Sequence, residues 1–240
     1  MAQGAHLKPL PEDWHKAMAV VAHPDDLEYG ASSAVARWTA QGKEVIYVIA
    51  TKGEAGIDSL PPDKTGPLRA QEETNSARVV GVNTVEFLDH QDGVVEGGFP
   101  LRRDIALAIR RHRPDVLITM SYEDGPRGPV SADHRAVGQA VVDAARDASN
   151  RWVFPEQLNG SLEPWPGVQM VCLTNVDFPT HGVDVTGFIE KGIASLREHR
   201  VYLGNLSQTT DPSEMLRSQA EERGKLLGCQ YAVVFQVLNM

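Results

Sequence analysis

The sequence predicts an α/β fold: a doubly wound, Rossmann-like, mostly parallel sheet with helices on both faces. Two observations carry that prediction. Short apolar, β-branched runs alternate in strict order with segments whose apolar residues recur at helical spacing, and Pro or Gly stands at many of the junctions. The 240 residues suffice for one large domain with a buried core. Residues 1–240 are therefore read as a single domain, with its core at about 17–200 and a C-terminal extension.

Taken in order, Lys16 to Ala22 (KAMAVVA) reads as a buried strand, closed by the polar, proline-containing loop HPDDLEYG. Ala31, Ala34, Val35 and Trp38 fall at i, i+3, i+4, i+7, a helix with one buried face that Gly42 ends. Glu44 to Ala50 is a second strand. Residues 51–66 read as loop, and 67–80 as a helix from Pro67 to Gly81. A short strand follows at Thr84 to Leu88, then a helix marked by Leu101, Ile105, Ala108 and Ile109 and stopped by Pro114. Asp115 to Met120 is a fourth strand, and Ala136, Val137, Ala140, Val141, Ala144 and Ala148 mark the next helix.

Residues 151–167 are irregular and read as a cover. Trp152, Phe154 and Trp165 there either seal the core or line an apolar acyl pocket. Val168 to Leu173 reads as one more strand, with helices at 186–199 and 212–227. A doubly wound order of 3-2-1-4 makes the first and fourth strands neighbours. The loops leaving them, 23–30 and 121–134, then meet in the crevice where such sheets bind ligands.

Composition narrows the function. With 42% hydrophobic and 23% charged residues the chain is an ordinary globular protein. Its formal net charge of −9 argues against a broad nucleic-acid or anionic-membrane surface. The opening MAQGAHLKPLPEDWHK has no signal-peptide pattern, and no stretch approaches the roughly 20 apolar residues of a membrane span. The two cysteines, Cys172 and Cys229, make no disulfide framework, so the cytoplasm is the expected compartment. Oligomeric state is not legible.

His23 and Asp26 lie in the first of the converging loops, and His134 follows Asp133 (SADHRAVG) at the end of the second. Two imidazoles and a carboxylate make a three-ligand metal site with an open position. Alone, an Asp-rich loop is a solvated turn and a loop histidine a hydrogen-bonding residue; their joint placement at the switch point favours a metal. Ser131 is placed as an N-cap of the helix carrying His134, whose positive end disfavours a protonated imidazole. Of the adjacent Asp25 and Asp26, one can bind the metal while the other stands over the attacking water.

AHPDDLEYG resembles the AHPDDxE signature of the PIG-L/LmbE-like deacetylases, and SADHRAVG is similar to their later HPDHxxxG segment. TKGEAG, LRAQEE, FLDHQDG and KGIASLREH match in order, so the resemblance spans about 17–200. It implies an N-deacetylase acting on an N-acetylglucosamine-like conjugate. Metal would fall on His23, Asp26 and His134, with Asp25 as general base and Arg69 and Asp92 at sugar hydroxyls. Zinc is the implied metal, with ferrous iron the other choice. From local spacing alone, Arg69 instead pairs with Glu73 at i, i+4, and Asp92 is a turn residue before Gly93.

The chain departs from the family pattern at Ser131, where a histidine often assists the oxyanion, at Ala132 in place of Pro, and at Val201-Tyr202 in place of Ser-Gln. Tyr122 and Arg127 are the nearest substitute donors in sequence. Three other readings compete: a non-haem iron oxygenase with the same two-His-one-carboxylate set, a receiver-like magnesium-binding module, and a non-catalytic relative that only binds its ligand.

Overall fold

The computed structural model describes residues 7–126, 128–206 and 211–240. Eight strands form one sheet: β1 (Lys8–Pro9), β2 (Lys16–Val21), β3 (Glu44–Ile49), β4 (Thr84–Phe87), β5 (Val116–Met120), β6 (Met170–Thr174), β7 (His181–Asp184) and β8 (Ala232–Asn239). Their order is β1-β7-β8-β6-β5-β2-β3-β4. The four strands expected from the first half stand as β4-β3-β2-β5, the 3-2-1-4 order, all parallel. β6 continues that parallel run beside β5, and β8 alone runs antiparallel to both its neighbours, β6 and β7.

The period-2 alternation of β2 divides the core. Ala17, Ala19 and Val21 face one layer with Trp38 and Val35 of α2 (Ser32–Ala40), and Met18, Val20 and Ala22 face the other. Leu101 and Ile105 of α4 (Phe99–His112) and Val137 and Val141 of α5 (Ala132–Ser149) fill that second layer. Both faces being covered explains why the strands read as continuous apolar runs.

Three expectations are corrected. The helix expected from Pro67 begins a turn earlier, as α3 (Pro62–Val79): Pro62 takes the first helical position, where no N–H is needed. Pro67 is accommodated inside because Asp63, whose carbonyl it leaves free, is exposed. The single helix expected at 186–199 is α6 (Ile189–Leu196) followed by α7 (Arg200–Asn205). The expected extension is not peripheral either, since after α8 (Pro212–Leu227) it supplies β8, an apolar run set between β6 and β7.

The irregular cover is fastened from below. Buried Arg110 donates to the carbonyls of Asp147, Ala148, Asn150, Val153 and Phe154. Phe154 joins the core, and the Trp165 indole donates to the Pro114 carbonyl at 2.7 Å. Phe154 and Trp165 thus take the sealing role, whereas Trp152 is 82% exposed.

Candidate metal centre

β2 ends where His23-Pro24 interrupts the ladder, and the chain turns at once into α1 (Asp26–Gly30). The turn is made at Asp25, whose φ of 89° is left-handed and costs a non-glycine residue on the order of 1–3 kcal/mol. His134 enters from the first turn of α5. Its amide donates to Ser131 Oγ at 3.2 Å, so Ser131 caps that helix as expected.

His23, Asp26 and His134 are brought together, with their ligand atoms within 4.8 Å of one another. Asp26 Oδ1 lies 2.9 Å from His134 Nε2; its Oδ2 accepts from the amides of Ala22 and His23 at 3.1 and 2.9 Å and stands 3.7 Å from His23 Nδ1. The far nitrogen of His23, Nε2, is 3.0 Å from Asp92 and 3.1 Å from Asp133. Both partners are carboxylates, so Nε2 is the donor and Nδ1 the nitrogen left for a metal. Asp133 also accepts from the amides of Gly93 and Val95 at 2.7 and 3.0 Å, tying the 92–95 loop to α5. Sequence reasoning assigned Asp133 no role, although it stood beside His134.

Electrostatics point the same way. Burial opposes charge on His23, but hydrogen bonds to Asp26, Asp92 and Asp133 outweigh it and push the ring up to about 11. Burial also opposes charge on His134, yet Asp26 raises it above the ordinary histidine value. The positive end of α5 disfavours a protonated His134, and the Asp26 carboxylate facing its ring works the other way. Asp26 is itself held well below the carboxylate range by the two histidines, against its burial. These donors surround a point where positive charge is strongly favoured, and a divalent cation fits it by exchanging for the protons.

Asp25 does not turn toward this point through a cap. Its carboxylate accepts from Arg69 Nη2 at 2.8 Å, and the same guanidinium donates to the carbonyls of Pro24 and Gly53 at 2.6 and 3.0 Å. The expected Arg69–Glu73 pair is therefore replaced by Arg69–Asp25. Burial, opposed by Arg69 and assisted by Asp26, raises the Asp25 carboxyl to about 7. Asp92 is no simple turn residue: besides His23 it accepts from the Ala55 amide at 2.8 Å.

His23, Asp25, Asp26, Arg69, Asp92 and His134 all line one cavity of about 500 Å³. Sequence reasoning missed two of its other walls, Asn175 and Tyr202, and noted Tyr202 only as a departure. The Tyr202 ring lies under the Arg69 guanidinium at 3.8 Å, and burial followed by the nearby Asp25 pushes its phenol up to about 12. Tyr122 packs against Gly138 on α5 and is not among the described residues lining the cavity; Arg127 lies outside the described residues. A second cavity of about 440 Å³ shares Tyr29, Met120, Ser131, His134 and Asn175 with the first.

Fold and site together define a doubly wound α/β protein with a cluster of two histidines and a carboxylate at the switch point, able to hold a metal ion. The model of the family described as PIG-L: GlcNAc-PI de-N-acetylase matches residues 18–145, and the chain belongs to that family. Diacetylchitobiose deacetylase of Thermococcus kodakarensis is 26% identical over 227 residues, covering 92% of this chain and 82% of that one. The 1D-myo-inositol 2-acetamido-2-deoxy-alpha-D-glucopyranoside deacetylase of Streptomyces avermitilis is 28% identical over 178 residues, covering 62% of this chain and 58% of its own length. Among solved structures, N,N'-diacetylchitobiose deacetylase from Pyrococcus horikoshii is similar with a TM-score of 0.85 at 25% identity, over 95% of this chain and 85% of that chain.

Proposed function

We propose that this chain, working as one domain, is a metal-dependent hydrolase that removes an N-acetyl group from a small glucosamine-containing conjugate. The observation that carries the reading is the convergence of His23 Nδ1, Asp26 and His134 Nε2 on one point beside Asp25, on the wall of a cavity of about 500 Å³. The names of the two curated relatives, one acting on an acetylated chitobiose and the other on an acetamido-glucopyranoside of inositol, support the substrate class.

His23, Asp26 and His134 would hold the metal, zinc by preference and ferrous iron otherwise; when bound it supplies the Lewis acidity that activates water and polarises the acyl carbonyl. Asp25 takes the proton of the attacking water and passes it to the departing amine, a role that its carboxyl near 7 suits. Arg69 holds Asp25 in line and has one Nη1 hydrogen left for the sugar, while Asp92 offers its remaining lone pairs to a sugar hydroxyl. Tyr202, a neutral phenol in the same cavity, is the donor proposed for the oxyanion in place of the histidine this chain lacks at position 131. The adjoining cavity takes whatever the sugar is attached to. Both cysteines are free thiols, which suits a reducing compartment such as the cytoplasm. Among the described residues no helix is long and apolar enough to cross a membrane.

The test is a liberated-amine assay over a panel of N-acyl glucosaminides, with chelated protein and metal added back. Metal-restored amine release from an N-acetyl glucosaminide supports the reading. Binding without turnover would return the chain to a non-catalytic role, and oxygen consumption with ferrous ion to an oxygenase.

A further inference from the structure

α3 buries a polar stripe where a helix of this length ordinarily buries apolar residues. Arg69, Glu72, Glu73 and Ser76 fall at i, i+3, i+4, i+7 and are 0–7% exposed. Three of them reach the Asp25–Glu28 segment and one the start of α7. Arg69 holds the Asp25 carboxylate, Glu72 accepts from the amides of Val201 and Tyr202 at 2.6 and 3.4 Å, and Ser76 donates to Glu28 at 2.5 Å. Glu73 Oε2 accepts from the backbone amide of Asp25 at 3.1 Å.

Behind Glu73 lies a closed trio that the metal centre does not use. His199, on the segment between α6 and α7, is fully buried, with its Nε2 3.6 Å from Glu28 Oε2 and 3.6 Å from Glu73 Oε2. Ser76 and Ser195 complete the shell around Glu28 Oε1. Glu28 Oε2, Glu73 Oε1 and both ring nitrogens of His199 have no hydrogen-bond partner. A buried carboxylate left without compensation is costly, and His199 is the group that faces the Glu28 carboxylate, with the Glu73 carboxyl beside it.

We propose, resting on the reading above, that Glu73 is a positioning residue. Backed by His199 and Glu28, it grips the Asp25 amide and so keeps the base in the left-handed turn that presents its carboxylate to Arg69 and the cavity. The turn is strained for an aspartate, so it persists only while something outside it holds the amide. The last residue of the HPDDLE motif and the histidine of KGIASLREH thereby acquire a shared purpose, joining two distant stretches of the chain beneath the base. Burial and the neighbouring Glu28 push the Glu73 carboxyl well above its usual range, so a glutamine is a close mimic that keeps an acceptor oxygen for the amide.

The experiment is steady-state kinetics and metal analysis on metal-loaded wild type, Glu73→Ala, Glu73→Gln and Glu73→Asp. With Glu73→Ala, kcat should fall ~10²-fold, the scale of a misplaced catalytic group, with KM and metal content unchanged. Glu73→Gln should restore most of kcat. Glu73→Asp keeps the carboxyl but cannot reach the amide; it should fall like Glu73→Ala and carries the test if the alanine variant does not fold. Equal activity in Glu73→Asp and wild type would overturn the proposal, as would a Glu73→Gln as inactive as Glu73→Ala, which would make the carboxyl a proton carrier. Two metals per wild-type chain, falling to one in His199→Gln, would make the trio a metal site instead. If wild type itself releases no amine, it is the proposed function that fails.

Discussion

Two of the histidine–carboxylate clusters among the described residues are nearly alike in composition, and they differ in what surrounds them. His23, Asp26 and His134 place their ligand atoms within 4.8 Å of one another, and so do Glu28, Glu73 and His199. The first histidines keep 19% and 24% of their side chains exposed on the wall of a cavity, whereas His199 keeps none. In the first cluster the outward nitrogen of His23 is fixed by a carboxylate, so the inner one is aimed. In the second, Nε2 of His199 stands 3.6 Å from each of two carboxylates, its Nδ1 has no hydrogen-bond partner, and the side chain is fully buried. Residue type therefore names a set of possible chemistries, and access and orientation select among them.

The largest expected contrast is in metal retention. His134→Ala should bring metal content from about one ion per chain to near zero and abolish turnover, while His199→Gln should leave the ion in place. Elemental analysis of both variants after dialysis decides it, and metal retained in His134→Ala would sink the assignment of the open cluster.

Next in size is the division between the two adjacent aspartates. Asp25→Asn should keep the metal and lose ~10²–10⁴-fold in kcat, the range of general-base catalysis. Asp26→Asn should lose metal first, because its carboxylate faces both histidines. Metal titrations giving the opposite pattern would exchange their roles.

The closed cluster should announce itself in pH-dependent stability. Burial works against a charged His199, but Glu28 and then Glu73 raise it to about 9. A histidine raised on folding contributes fully below its unfolded value of ~6.5 and loses that contribution as pH climbs through about 9, roughly 3 kcal/mol between the limits. The thermal midpoint of metal-loaded wild type should thus fall more steeply from pH 6.5 to 9.5 than that of His199→Gln. Parallel curves would mean that His199 carries no such charge.

The smallest effect belongs to Ser131, which lines the open cavity yet accepts the amide of its own helix. Ser131→Ala should cost ~1 kcal/mol, the usual loss of an N-cap, and less than ~tenfold in kcat. A loss of ~10²-fold at unchanged thermal midpoint would instead make the hydroxyl an oxyanion donor.

By itself the sequence determined the parallel half of the sheet and its open site. Apolar runs such as KAMAVV and EVIYVI can only be strands buried on both faces, and a switch point follows from their alternation with helices. His23, Asp26 and His134 were legible because each stands at the end of such an element, where local pattern fixes position. β8 was not read from the sequence, and its place between β6 and β7 follows from strand order across a long connection, which no local pattern records. Only the tertiary structure decided the partners of Arg69, the aim of Tyr202 and the meeting of Glu28, Glu73 and His199. Those contacts join residues up to 171 positions apart, Glu28 to His199, and no local period records them: buried polar groups find partners through packing, which the whole fold sets at once.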